Sequence, residues 1–245
     1  MKRRMPTNAA RVPTLLAFIT VCACATAPAG ADVTIEAAWN TPETGATAQG
    51  QKVYVSGTHV RIDSSSRISL VLYDGAKRYN VGPVDKKCRT QTADSIRQFV
   101  QTTSEVIPRV EWRVKSLDQT RDIGQWKCKV YQVSEHRLVS KMYPVSNDDI
   151  PSKEICVVPY SELPNGAEVQ RASQEITKFM APMEAFGDLP GIIEQTSAVS
   201  AAVNGFVVAV KPLVNGNQAE LIVKNWNTEP IAKDVFAAPS DCVSQ

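Results

Sequence analysis

"VRIDSSSRISLVLYDGAKRYNV", residues 60–81, is the stretch on which the fold turns. It is rich in β-branched and aromatic residues, and Asp74-Gly75 stands between "ISLVLY" and "KRYNV". Successive side chains of a strand point to opposite faces, so period-two patterning marks a strand with one buried face. Glycine supplies the positive φ that a tight hairpin turn requires. The stretch predicts strand, turn and antiparallel strand, with the serine cluster "DSSSR" as a solvated turn. Upstream, "VTIEAAW" (33–39) sets Val33, Ile35, Ala37 and Trp39 against Thr34 and Glu36, and "KVYVSG" continues the pattern. A meander of antiparallel strands follows.

Further along, "TADSIRQFV" (92–100) spaces Ile96, Phe99 and Val100 as a short helix capped by Thr92 or Asp94. Strand patterns return in "RVEWRVKSL" (109–117), "GQWKCKVYQV" (124–133), "RLVSKMYPV" (137–145) and "KEICVVPY" (153–160), close enough together to form a second meander. From Asn165 the period changes to 3.6. Val169, Ala172, Ile176, Phe179, Met180 and Met183 share one face, and Asn165 with Glu168 has the spacing of a capping box. Pro182, lacking an amide proton, kinks or ends this helix. "PGIIEQTSAVSAAV" (190–203) predicts a second helix. "GFVVAVKPLV", the turn Asn215-Gly216 and "AELIVKNW" then read as a closing hairpin.

Residues 1–31 read as a secretory signal peptide, with four basic residues and no acid before an apolar run and an A-x-A-like end at Ala29–Ala31. The alternative is a lipoprotein anchored through Cys24, since "VCAC" loosely resembles a lipobox. Residues 32–245 are read as a single domain. They carry 23 basic against 25 acidic residues, a net charge of −2. Nucleic-acid binding needs a concentrated basic face, so no nucleic-acid partner is expected.

Cys128 lies between Lys127 and Lys129, but in a strand those lysines project away from its sulfur and do not activate it. No C-x-x-C pair occurs, and Cys88, Cys128, Cys156 and Cys242 are too scattered for a zinc ribbon. Four cysteines in an exported chain read as two disulfides. Three pairings exist; Cys128 with Cys156 and Cys88 with Cys242 is favoured, because the first pair falls in one meander. His59 and His136 read as turn residues, and Asp148 and Asp149 as solvated loop acids. With no nucleophile elbow, zinc-protease, P-loop or dinucleotide motif, the chain reads as a non-enzyme with no cofactor and no metal site.

The candidate ligand-binding residues are the apolar set Phe179, Met180, Met183, Phe186, Ile192 and Ile193, flanked by Leu189. Ordinary core packing explains such a stripe. The sharper reading is a lid, because methionine and phenylalanine around a proline suit a surface that adapts to apolar guests.

The strand–turn–strand at 60–81, "IGQWKCKVYQV" followed by "KEICVVPYSELP", and the ending "GFVVAVKPLV" through "VFAAPS", with Phe236 and Pro239 as an F-x-x-P close, together resemble the periplasmic lipoprotein-carrier superfamily (LolA-like and LolB-like). The resemblance covers nearly all of 32–245. It implies an α+β, mainly β fold: a half-open, curved antiparallel β-barrel with helices covering its concave face. It also implies a hydrophobic ligand such as a lipid or acyl chain, a membrane-associated delivery partner and no covalent chemistry. Carriers of this kind hold the lid closed with an arginine, and Arg61 stands in the comparable strand. The cysteines and the long helical insertion depart from the family. The alternative is a structural or interaction domain of the same fold with a filled core.

Overall fold

A computed structural model describes residues 31–40, 47–64, 70–82, 86–103, 110–137, 149–186, 191–213 and 219–244. The fold is α+β and mainly β. The first meander comprises β1 (Val33–Asn40), β2 (Thr47–Ser56), β3 (His59–Ser64), β4 (Leu70–Asp74), β5 (Lys77–Val81) and β6 (Cys88–Thr92). The second comprises β7 (Val110–Ile123), β8 (Trp126–Arg137), β9 (Asp149–Pro159), β10 (Gly205–Pro212) and β11 (Glu220–Asn227). Antiparallel pairing of β1 with β11 joins the two into one sheet. A short β12 (Cys242–Ser244) adds parallel to β6, giving the order β12-β6-β5-β4-β3-β2-β1-β11-β10-β9-β8-β7.

The hairpin expected at Asp74-Gly75 is present, with Gly75 at φ +55° and Asp74 paired to Lys77. Of the strand expected over 137–145 only Arg137 is described, as the end of β8, and the Asn215-Gly216 turn also lies outside the described residues. His136 is a strand residue rather than a turn residue, and its Nδ1 lies 2.9 Å from Asp149 Oδ1, which also pairs with Arg113. Strand β8 runs straight through "SEHR" because its hydrogen bonding to both β7 and β9 continues there.

The sheet bends strongly. Three strands separate β7 from β11, yet Arg121 of β7 donates to both carboxylate oxygens of Glu220 of β11, at 2.8 and 3.1 Å. Trp126 and Trp226, on β8 and β11, meet edge to face at 6.0 Å. A bulge between β1 and β2 contributes: a Cβ on Gly50 would lie 2.0 Å from the carbonyl oxygen of Ala37, so only glycine permits this approach. Among the described residues β12 and β7 do not pair, and the sheet is open rather than a closed barrel.

Helix α1 (Ala93–Thr103) starts where Thr92 Oγ1 accepts from the Ser95 amide at 3.1 Å, while Ser95 Oγ accepts from the Thr92 amide at 3.0 Å. Helix α2 (Gly166–Met180) starts differently from the expectation. Asn165 adopts the left-handed conformation, φ 54°, and makes no capping bond; its side chain donates to Asp32 O, and Glu168 pairs with Arg171 instead. The turn is set by backbone packing, since a Cβ on Gly166 would lie 2.0 Å from Tyr160 O. As Pro182 predicts, α2 ends at Met180 and passes into a 3₁₀ turn, Ala181–Phe186.

The second helix is much shorter than 190–203. Among the described residues of that stretch only α3, Ser197–Ala202, is helical, begun by Thr196 accepting from the Val199 amide. Residues 191–196 form an irregular segment buried along its whole length. A surface helix there would need a solvent-facing side, and this segment has none.

Residues beyond β11 cross the convex face as a strap. The Ile231 amide donates to Asp32 Oδ2 at 2.7 Å, Arg61 Nη1 donates to Val235 O at 2.9 Å, and the rings of His59 and Phe236 lie 5.9 Å apart. The strap ends at β12, where Cys242 is bonded to Cys88.

Candidate functional site

One apolar cluster gathers the buried side chains of both meanders. Val33, Ile35 and Ala37 of β1, Val53 and Val55 of β2, and Val60 and Ile62 of β3 belong to it with Val130 of β8, Val158 of β9, Phe206 and Val208 of β10 and Val223 of β11. Helix α2 lies over it through Val169, Ala172, Ile176, Phe179 and Met180. The opposite face of β8–β10 is also buried, beneath Trp112, Val199 and Val203. The second meander is thus a layer packed on both sides.

Between helix and sheet runs the segment 191–196, with Ile192 and Ile193 both at 0% exposure. It is tied to both layers. Gln51 Oε1 of β2 accepts from the Ile192 amide at 3.2 Å, and Ser173 and Thr177 of α2 donate to Ile193 O and Gln195 O at 3.4 and 3.2 Å. Buried backbone groups need partners when no helix or ladder supplies them, and these side chains provide three.

Phe179, Met180, Ile192 and Ile193 therefore come together in one cluster, with Met183 packed against it, half-buried. Phe186 closes the 3₁₀ turn, its side chain outside the described set, and Leu189 is also outside it. Glu184 fastens this turn: its backbone oxygen accepts from Trp112 Nε1 at 2.8 Å, and Oε1 accepts from the Ser197 amide and hydroxyl at 2.7 and 2.9 Å. Burial pushes the Glu184 carboxyl above its ordinary range, with the bonds from Ser197 pulling the other way.

The concave face ends in polar side chains that sequence reading missed. Tyr73 of β4, Arg78 of β5 and Gln91 of β6 are cross-strand partners on the interior side. The Tyr73 hydroxyl donates to Glu194 Oε1 of the buried segment. Arg78 Nε donates to the Tyr73 hydroxyl at 3.0 Å, Nη1 donates to Gln91 Oε1 at 2.9 Å, and Nη2 lies 3.5 Å from Glu194 Oε1. Arg78 and Glu194 keep only 11% and 9% side-chain exposure. Burial raises the Tyr73 hydroxyl well above its usual range, and the Glu194 charge adds to the shift. Tyr79 and Val81 of "KRYNV" do not face the interior. The register with Tyr73 puts Arg78 and Asn80 there instead.

A small polar cleft of about 90 Å³ opens beside α2 and α3, lined by Tyr160, Ser173, Gln195, Ser200 and Asn204 among others. Arg61 does not reach the helical cover: it points to the convex side, bonded to Asp63 and to the strap. Both disulfides have the favoured pairing, Cys128–Cys156 and Cys88–Cys242. Cys128 is thus half of a buried bridge.

No protein-family model matches the chain, and no curated protein matches it. Among solved structures, an uncharacterized conserved protein from Thermus thermophilus aligns with a TM-score of 0.39 at 6% identity, over 88% of this chain and 91% of that one.

Proposed function

We propose that this is an exported, non-enzymatic binding protein that accepts a lipid or other apolar molecule between its curved sheet and its helical cover, as LolA-like carriers do. The observation that carries the reading is the nature of the cover. An apolar cluster spanning both meanders is covered by α2, with Ile96 of α1 packed into it, and by a short irregular segment attached through hydrogen bonds. In this reading the open sheet is a half-open barrel, residues 1–31 are the export signal, and the periplasm is the oxidising compartment that the two disulfides suit. A membrane-associated partner would deliver or receive the ligand.

The magnitudes are close enough for an acyl chain to compete with the segment, which would also give up its three hydrogen bonds. Ile192 and Ile193 together gain about 3–6 kcal/mol from burial, whereas about ten methylenes of an acyl chain gain about 8 kcal/mol. A second reading, a structural or interaction domain with a filled core, draws on the complete burial of those isoleucines. Native mass spectrometry of protein purified from the periplasm separates the two. A bound lipid supports the carrier reading; an empty protein that also ignores fluorescent fatty-acid probes overturns it. Met180→Asp or Phe179→Asp should lower probe binding at least tenfold in a variant that still folds.

A further inference from the structure

The polar end of the concave face needs an account of its own. Burying a guanidinium is costly unless a carboxylate faces it, so Arg78 requires an acid partner inside the protein. No neighbouring strand supplies that partner. It is Glu194, on the buried segment, and the segment's order is Ile192, Ile193, then Glu194: two apolar side chains followed at once by a carboxylate. The apolar and polar parts adjoin, because the Tyr73 ring that donates to Glu194 also stands edge-on to Phe179 at 5.9 Å. The Arg78 guanidinium, 5.6 Å from the centre of that ring, is held in place by Tyr73 and Gln91 independently of Glu194.

We infer that Arg78 and Tyr73 form a carboxylate seat, that Glu194 is its resident occupant, and that the ligand class is a long-chain carboxylate whose acid group takes Glu194's place. The inference rests on the proposed uptake of an apolar ligand and names its head group. A neutral ligand that displaced residues 191–196 would strip Arg78 of its counter-charge. A fatty acid restores it and fills the volume of the two isoleucines with its chain. Seat and occupant belong to different layers, so they separate when the segment leaves.

The test compares laurate with dodecanol, equal in chain length and different in head group, on wild-type protein, Glu194→Gln and the double variant Arg78→Met/Glu194→Gln, by calorimetric titration near neutral pH. Circular dichroism and the intact disulfides report folding. Glu194→Gln removes the competing carboxylate, so the preference for acid over alcohol should rise at least tenfold above wild type, and the double variant should abolish it. If Glu194→Gln binds both ligands equally, Arg78–Glu194 is an internal ion pair only: the seat is overturned while uptake of apolar ligands stands. If neither ligand binds any of the three proteins, both readings fall. The ratio is the readout because a merely structural pair, once broken, loosens the segment for both ligands alike.

Discussion

The two meanders each carry one disulfide, and the two bridges act through different physics. Cys128–Cys156 joins neighbouring strands within the doubly covered second meander, both cysteines buried at 1% exposure, and closes a separation of 28 residues. Cys88–Cys242 closes 154 residues and fastens the strap to the edge of the first meander, with Cys242 half-buried. Strands β8 and β9 would stay paired without their bridge, because a long ladder already holds them. Strand β12 has three residues and one neighbour, so covalent attachment is what keeps it in register. One bond reinforces packing that exists; the other creates a contact that packing alone is too weak to hold.

Chain-entropy arguments make the long bridge the larger contributor, about 5 kcal/mol against about 3.5 kcal/mol for the short one. Urea unfolding of Cys88→Ser/Cys242→Ser and of Cys128→Ala/Cys156→Ala should show losses in that order. The reverse order would mean that packing around the buried sulfurs outweighs loop length, and the comparison would break. Mild reduction sharpens it: thiol labelling should reach Cys88 and Cys242 first, and Cys128 and Cys156 only on global unfolding.

The doubly covered region should also be the less forgiving one. Phe206→Ala on β10, removing a fully buried ring that packs edge-on to Trp226, should cost about 3–5 kcal/mol in the same assay. On the strap side, Arg61→Ala removes the charge-assisted bond to Val235 O together with the pair to Asp63, both partly exposed, a loss of about 1–2 kcal/mol. Hydrogen exchange should locate it, with amides around 235–237 accelerated and those of α2 unchanged.

The smallest effect concerns Glu184. Its carboxyl is raised in the folded protein, so the folded state holds the proton more tightly than the unfolded chain. That contribution is full below the ordinary carboxylate range and is lost as pH rises through the raised value. Relative to Glu184→Gln, wild-type protein should therefore lose Tm as pH rises above the ordinary carboxylate range. A pH-independent difference would show that the Ser197 bonds offset the burial completely.

The strands were legible because alternation and turn chemistry act locally. Val33, Ile35 and Ala37 announce their face in seven residues, and Asp74-Gly75 announces its turn in two. The end of α2 was legible at Pro182 for the same reason. The candidate interior was only half legible. Its apolar members follow from helical spacing, but "PGIIEQ" reads as the start of a helix until the sheet and α2 are in place to bury it from both sides. Arg78 gave no signal, because the partner that makes its burial tolerable lies 116 residues away.

Composition, alternation and cysteine count were enough to predict a β-rich chain with two bridges and a late helix, since strand and helix patterns depend on neighbours in sequence and an even cysteine count in an exported chain suits full pairing. Which strand meets which across the join of β1 and β11, how far the sheet bends, and which charged groups end up facing one another inside it were settled only in three dimensions. Those features depend on contacts between distant residues, and no local pattern encodes the desolvation of Arg78 or the carboxylate that offsets it.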